Sequence, residues 1–211
     1  MKDQVEISTF SVSSIEFDKT YRVMEKRIVM GYTARELSFL LGLHSLYVRE
    51  IENPLNTKKY NADQTNYLLQ IFDCALPEIM AGTIPELFFT IQIEHSFREH
   101  ENKYDVYRIM HHKRTFIRHF TEESNDYSFP IRGVSSLSEI QEFIDYLFDS
   151  NFFNKPKTAL EIFKQCASKF GLPLKPNFVL NAIRKYTSKR KAPRLISLTN
   201  DGRRKIYIKE V

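Results

Sequence analysis

The sequence predicts an α+β protein with a helical N-terminal part, a central β-meander and a C-terminal set of three helices followed by a hairpin. Three observations carry this. Apolar residues recur at helical spacing between Tyr21 and Ala75. The period falls to two between Leu87 and Thr121, where aromatic and β-branched residues crowd together. Helical spacing returns from Ser138 and gives way to two β-rich runs joined by Asp201-Gly202, a dipeptide that tolerates the positive φ of a tight turn.

Residues 1–20 mix Ser with scattered apolars and read as an extended arm or first strand. Tyr21, Val23, Met24, Arg27 and Ile28 suit a first helix that stops at Gly31. Thr33 with Glu36 three places on predicts a capping box for a second helix, whose face carries Leu37, Ser38 and Leu41 before Gly42 ends it. A third helix is expected from about Ser45 to Glu52, closed by Pro54. Asp63 is the expected cap of a fourth, carrying Tyr67, Leu68, Ile71, Phe72 and Ala75.

Strands are predicted at Leu87–Phe97, Tyr104–Met110 and Thr115–Thr121, then a linker from Thr121 to Pro130. Ser138–Phe148 follows with Ile140, Phe143, Ile144 and Leu147 on one face. Thr158–Phe170 turns Ala159, Phe163, Cys166, Ala167 and Phe170 inward and stops at Gly171. Pro176 opens a last helix to about Ser188, and strands are expected at Arg194–Asn200 and Arg203–Lys209. The expected domains are 21–80, a β-rich segment 85–125, and 135–211.

Charge is segregated along the chain. There are 31 Lys+Arg against 26 Asp+Glu, a net of +5. Residues 155–211 hold 15 basic and 3 acidic side chains, while residues 1–154 hold 16 and 23. A tail of that density is an electrostatic footprint for polyanions. With 42% hydrophobic and 27% charged residues, the composition is that of an ordinary globular protein. No apolar run approaches the ~18–20 residues that span a bilayer, and the first residues lack the apolar core of a signal peptide. The two cysteines, Cys74 and Cys166, lie far apart on apolar helix faces and read as small core residues. A reducing cytoplasm, no membrane and no disulfide are therefore expected.

Between Gly31 and Asn53, the residues Gly31, Thr33, Glu36, Leu37, Leu41, Gly42, Leu43, Val48, Ile51 and Glu52 resemble the lambda-repressor-like (Cro/C1-type) helix-turn-helix family. The resemblance covers about residues 21–76. It implies a helix-turn-helix bundle in which Leu37, Leu41, Val48 and Ile51 lock two helices and the second projects into the DNA major groove. Ser45, Tyr47 and Arg49 would then meet bases. Three departures matter. Ala34 stands where the family has a backbone-contacting Gln, Phe39 and Leu40 stand where it has polar residues, and Glu50 adds an acid to the outward face. The competing expectation is an apolar patch of Phe39, Leu40, Leu46 and Tyr47 that binds a second copy or another protein.

Residues 137–209 resemble a winged helix in the order of their elements. The helix from Pro176 turns Phe178, Val179, Ala182, Ile183 and Tyr186 to one side and Asn177, Asn181, Arg184 and Ser188 to the other, with Lys185 between. Asn and Arg pair bidentately with adenine and guanine. Lys189, Arg190, Lys191 and Arg194 follow, and the hairpin adds Arg203, Arg204 and Lys205 as phosphate contacts. Double-stranded DNA is favoured over RNA, since aromatic platforms do not interleave these charges.

His95, His100, His111, His112 and His119 cluster without metal-ligand spacing and are expected at the surface. With 6 Gly and no phosphate loop, GxSxG or paired-carboxylate signature, neither an enzyme nor a cofactor is expected. The expectation is a cytoplasmic, bacterial transcriptional regulator, homodimeric, that binds double-stranded DNA and acts by occupancy. Its rival is an assembly module whose basic end meets an acidic partner.

Overall fold

The computed structural model describes residues 5–98, 101–121, 137–171, 174–200 and 204–211. In chain order the elements are β1 (Val5–Ser13), α1 (Ser14–Val29), α2 (Ala34–Leu40), α3 (Tyr47–Glu52), α4 (Ala62–Phe72) and α5 (Leu76–Ile79). Then come β2 (Phe88–Arg98), β3 (Glu101–Met110), β4 (Lys113–Thr121), α6 (Leu137–Asp149), β5 (Lys157–Thr158), α7 (Ala159–Phe170), α8 (Pro176–Thr187), β6 (Arg194–Asn200) and β7 (Arg204–Glu210). Helices and antiparallel sheets make the chain α+β.

Two compact units divide the chain. One comprises residues 1–26 and 49–128, here the sheet unit; the other comprises 27–48 and 129–211, the hairpin unit. The division falls inside α1 and inside α3, so the expected 21–80 domain does not stand as one unit.

The sheet unit holds a four-stranded antiparallel sheet in the order β1-β2-β3-β4. The predicted arm is its first strand, paired with β2 from Val5↔Ser96 to Ser13↔Phe88. Side-chain alternation puts Phe10, Val12, Phe89, Ile91, Ile93, Tyr104 and Val106 together, and α1 adds Phe17 and Met24 to form the core. The first helix begins at Ser14, not Tyr21. Ser14 is buried where β1 ends; its N–H donates to the Leu87 carbonyl at 3.0 Å and its hydroxyl to that of Glu86. Ion pairs Glu16–Lys19 and Asp18–Arg22, three and four residues apart, support that early turn.

The fourth helix is capped by Asn61, not Asp63. Gln64 N–H donates to Asn61 Oδ1 at 2.8 Å, and Asn61 N–H to Gln64 Oε1 at 3.0 Å. Asp73 ends it at φ 49°, which leaves Ala75 off the helix and exposed. Cys74, past the helix end, is only partly buried and not a core residue, whereas Cys166 is interior and burial pushes its thiol up to about 12. The expected linker after Thr121 lies outside the described residues.

In the hairpin unit, α6, α7 and α8 pack on a three-stranded antiparallel sheet of order β5-β7-β6. The inward face of α6 is Ile140, Ile144, Leu147 and Phe148, with Phe143 half-buried. On α7, Ala159, Phe163 and Cys166 are buried, while Ala167 and Phe170 are only half-buried. Gly171 ends α7 at φ 80°. The short strand β5 pairs Lys157 with Tyr207 and Thr158 with Ile206, and two residues are too few to leave a periodic signal in the sequence. The hairpin pairs Arg194 with Glu210 at one end and Asn200 with Arg204 at the other; the expected Asp201-Gly202 turn and Arg203 lie outside the described residues. Among the described residues no helix is long and apolar enough to cross a membrane.

The β3–β4 connection carries two non-glycine residues at positive φ, His111 at 49° and His112 at 61°. A two-residue loop with both centres left-handed suits Asn-Gly far better than His-His. Replacing His111→Asn and His112→Gly together is expected to stabilise the chain by about 1 kcal/mol, read as a rise in the urea midpoint.

Candidate nucleic-acid interface

α8 starts without a side-chain cap of its own. Pro176 occupies its first turn and Lys175 precedes it. The orphan amide of Asn177 is met from far along the chain: it donates to Glu36 Oε1 at 3.1 Å. The other oxygen of Glu36 accepts from Thr33 N–H at 2.8 Å, and Glu36 N–H donates to Thr33 Oγ1 at 3.1 Å, so the predicted capping box is present. One buried carboxylate therefore serves the N-termini of α2 and α8, where the helix dipoles favour negative charge. α2 packs against α7 and α8, and Tyr32 meets Phe163 edge-on with ring centroids 6.2 Å apart.

The expected stripe lies along one side of α8. Asn177 and Asn181 are half-buried; Arg184 and Ser188 are exposed. Arg184 Nη1 donates to Asn181 Oδ1 at 3.4 Å, and Ser188 Oγ donates to the Arg184 carbonyl at 2.7 Å. Burial pushes the Tyr207 hydroxyl up to about 12, against a smaller opposite effect of the Arg184 charge.

The remaining cations divide. Lys185 is engaged by Asp145 at 2.5 Å, and the same carboxylate accepts from Tyr186 Oη and Gln141 Nε2, each at 2.7 Å. Arg194 is paired with Glu210 across the hairpin. Lys189 stands over the Tyr186 ring at 4.6 Å. Arg190, Lys191 and Lys205 are exposed, and no acid among the described residues pairs with them. Arg204 is half-buried. The cations do not converge on one point. Lys189–Lys191 sit at the Arg194 end of the hairpin and Arg204–Lys205 at the Asn200 end, about 20 Å apart for six steps of strand.

The Gly31–Asn53 segment departs from the expectation of a separate reading head. Gly42 sits at φ 72° and its carbonyl accepts from Lys205 N–H at 2.8 Å. A Cβ there would lie 3.3 Å from Arg204 Cβ and from the Lys205 backbone. The turn is thus docked on β7 of its own unit. α3 begins at Tyr47 instead of Ser45, and Ser38 Oγ accepts from Val48 N–H at 3.0 Å. Leu37, Leu41, Val48 and Ile51 are all buried.

The expected apolar patch is not formed, because Phe39, 7% exposed, and Leu40, fully buried, belong to the interior. Of its four members Leu46 is exposed and Tyr47 half-exposed. Ser45 is exposed and lies with Tyr47 in the hairpin unit, whereas the half-exposed Arg49 belongs to the sheet unit. Glu50 is paired with Lys58.

The histidines serve the sheet. His95 stacks on Tyr104 with centroids 4.7 Å apart, and His119 lies 2.8 Å from Asp105. Among the described residues no group of three or more His, Cys, Asp or Glu is placed to hold a metal ion. His100 lies outside them.

No family model, curated protein or solved structure matches this chain.

Gly42→Ala is expected to cost about 1–3 kcal/mol, from the left-handed φ and the crowding at β7; urea unfolding with intrinsic fluorescence measures it. Asp145 gives a second test. Burial alone would raise its pKa, but the hydrogen bonds from Lys185, Tyr186 and Gln141 outweigh it and hold the carboxyl below the ordinary 3.8. Their stabilisation is complete above that unfolded-state value and is lost as the pH falls through the lower folded one. Asp145→Asn is therefore expected to lower stability at neutral pH and to flatten the acid limb below about pH 4, followed by urea midpoints across the pH series.

Proposed function

We propose that the chain is a DNA-binding regulator acting by site occupancy, and that its hairpin unit, ordered like a winged helix, makes the contact. The observation that carries this reading is the set Arg184, Lys189, Arg190, Lys191 and Lys205, exposed and without an acid partner among the described residues. They belong to a stretch of 15 basic and 3 acidic side chains. Lysines and arginines left unneutralised in this way bind polyphosphate by releasing its counterions.

The separation of the two basic clusters suits a duplex better than a small anion. A length of about 20 Å carries roughly a dozen phosphates, so both ends of the hairpin find partners on one molecule of DNA. Asn177, Asn181 and Arg184 supply the groups that discriminate base edges along α8. Lys185 and Arg194, already held by Asp145 and Glu210, contribute less. In this reading the Gly31–Val48 segment buttresses α8 through Glu36 instead of reading DNA itself. Docking of another protein through the expected apolar patch draws less support, since Phe39 and Leu40 are interior.

The test is fluorescence anisotropy with random-sequence duplex at two or more salt concentrations. Lys189→Ala, Arg190→Ala and Lys191→Ala combined are expected to weaken binding to every sequence alike. They should also flatten the slope of log K against log salt by up to about 3. Salt-insensitive binding by the parent chain, or an unchanged slope in the triple variant, would remove these residues from the contact and the reading with them.

A further inference from the structure

The sheet unit contains an apolar pocket between α1 and the inner face of the sheet. Phe10, Val12, Phe17, Met24, Ile91 and Val106 supply its walls. Its cavity volume is about 50 Å³. That suits a narrow chain and not a bulky ring.

The polar part of the lining is small and one-sided. Two cations, Arg118 and Lys59, face one acid, Glu52. The Arg118 guanidinium lies over the Tyr21 ring at 3.4 Å. Its Nη1 reaches the Met24 sulfur at 3.7 Å, a weak acceptor, its Nη2 lies a loose 3.7 Å from Glu25, and the side chain also hydrogen-bonds with Tyr21. Among the described residues its buried Nε–H has no acceptor, and the buried hydroxyl of Thr20, another wall residue, has no partner. Buried donors left unmet cost free energy, and a charged one costs most. Burial pushes the Arg118 guanidinium below its ordinary pKa, against the smaller opposing effects of Tyr21, Glu25 and Glu52. Lys59 is pushed down as well, chiefly by burial and partly by Lys19, against Glu16. Unmet donors and positive charge thus lie in the wall of an apolar slot, the complement of a carboxylate on a short alkyl chain.

We propose that this pocket binds a short straight-chain monocarboxylate, its alkyl chain among Phe10, Phe17, Met24 and Ile91 and its carboxylate on Arg118 Nε and Thr20 Oγ1. The acid accepts both hydrogen bonds and adds charge complementarity; its methyl ester fills the same slot without the charge. The site is independent of the DNA reading and its test uses no nucleic acid.

The experiment is isothermal titration of the full chain with the acids from acetate to octanoate and with their methyl esters. Methyl-resolved NMR locates the ligand. Saturable binding is expected, tightening with chain length until the slot is full. The matched ester should bind about tenfold more weakly, the loss of a charge-assisted hydrogen bond. Chemical-shift changes should centre on Met24 and Ile91. Arg118→Met should abolish the preference for acid over ester. Thr20→Val, a near-isosteric change, should weaken the acid and spare the ester, and it serves if Arg118→Met fails to fold. Absence of saturable binding by every acid overturns the proposal. So do equal affinities for acid and ester, shifts confined to residues 189–191, or an undiminished acid preference in a folded Arg118→Met or Thr20→Val chain.

Discussion

The hairpin unit depends on a single buried carboxylate. Glu36 accepts the amide of Thr33 with one oxygen and the amide of Asn177 with the other, so it neutralises the positive ends of α2 and α8 together. Two helix starts that would otherwise bury unmet N–H groups are satisfied by one side chain. The arrangement also explains why α2, far from α8 in sequence, packs on α7 and α8 instead of forming a bundle of its own. Gly42 follows from the same docking. Its turn must approach β7 closely enough to accept the Lys205 amide, and a side chain there would crowd Arg204 and the Lys205 backbone.

Once α2 is fixed in that way, the charges of the unit sort themselves by neighbour. Asp145 gathers Lys185, Tyr186 and Gln141, and Glu210 takes Arg194. Arg184, Lys189, Arg190, Lys191 and Lys205 remain exposed, as do Lys155, Lys164 and Lys169. Part of the basic excess of residues 155–211 is therefore met by acids, and two of its clusters stand at the two ends of one hairpin. A long polyanion matches that spacing because its charge repeats along its length.

The sheet unit follows a different logic. Strands with alternating apolar residues need one covered face, and α1 covers it with Phe17 and Met24. The cover is incomplete around Arg118. That guanidinium lies over the Tyr21 ring, and among the described residues its Nε–H has no acceptor.

Much of the local structure was legible in the chain because its causes are local. The Thr33–Glu36 cap, the stops at Gly31, Gly42 and Gly171, the three strands of the meander and the Pro176 start of α8 each rest on residues within a few places of one another. Where the boundaries moved, a neighbour outside the local window decided. Ser14 starts α1 because β2 begins beside it, and β5 exists only as a partner for β7. The candidate site was legible as composition but not as geometry. A lysine's number says that it is charged, not that Asp145 or Glu210 holds it or its neighbour. Phe39 and Leu40 read as a patch until the folded chain buried them. Glu36 shows the limit most plainly: its bond to Thr33 spans three residues, its bond to Asn177 spans 141, and only the folded chain brings the second partner within reach.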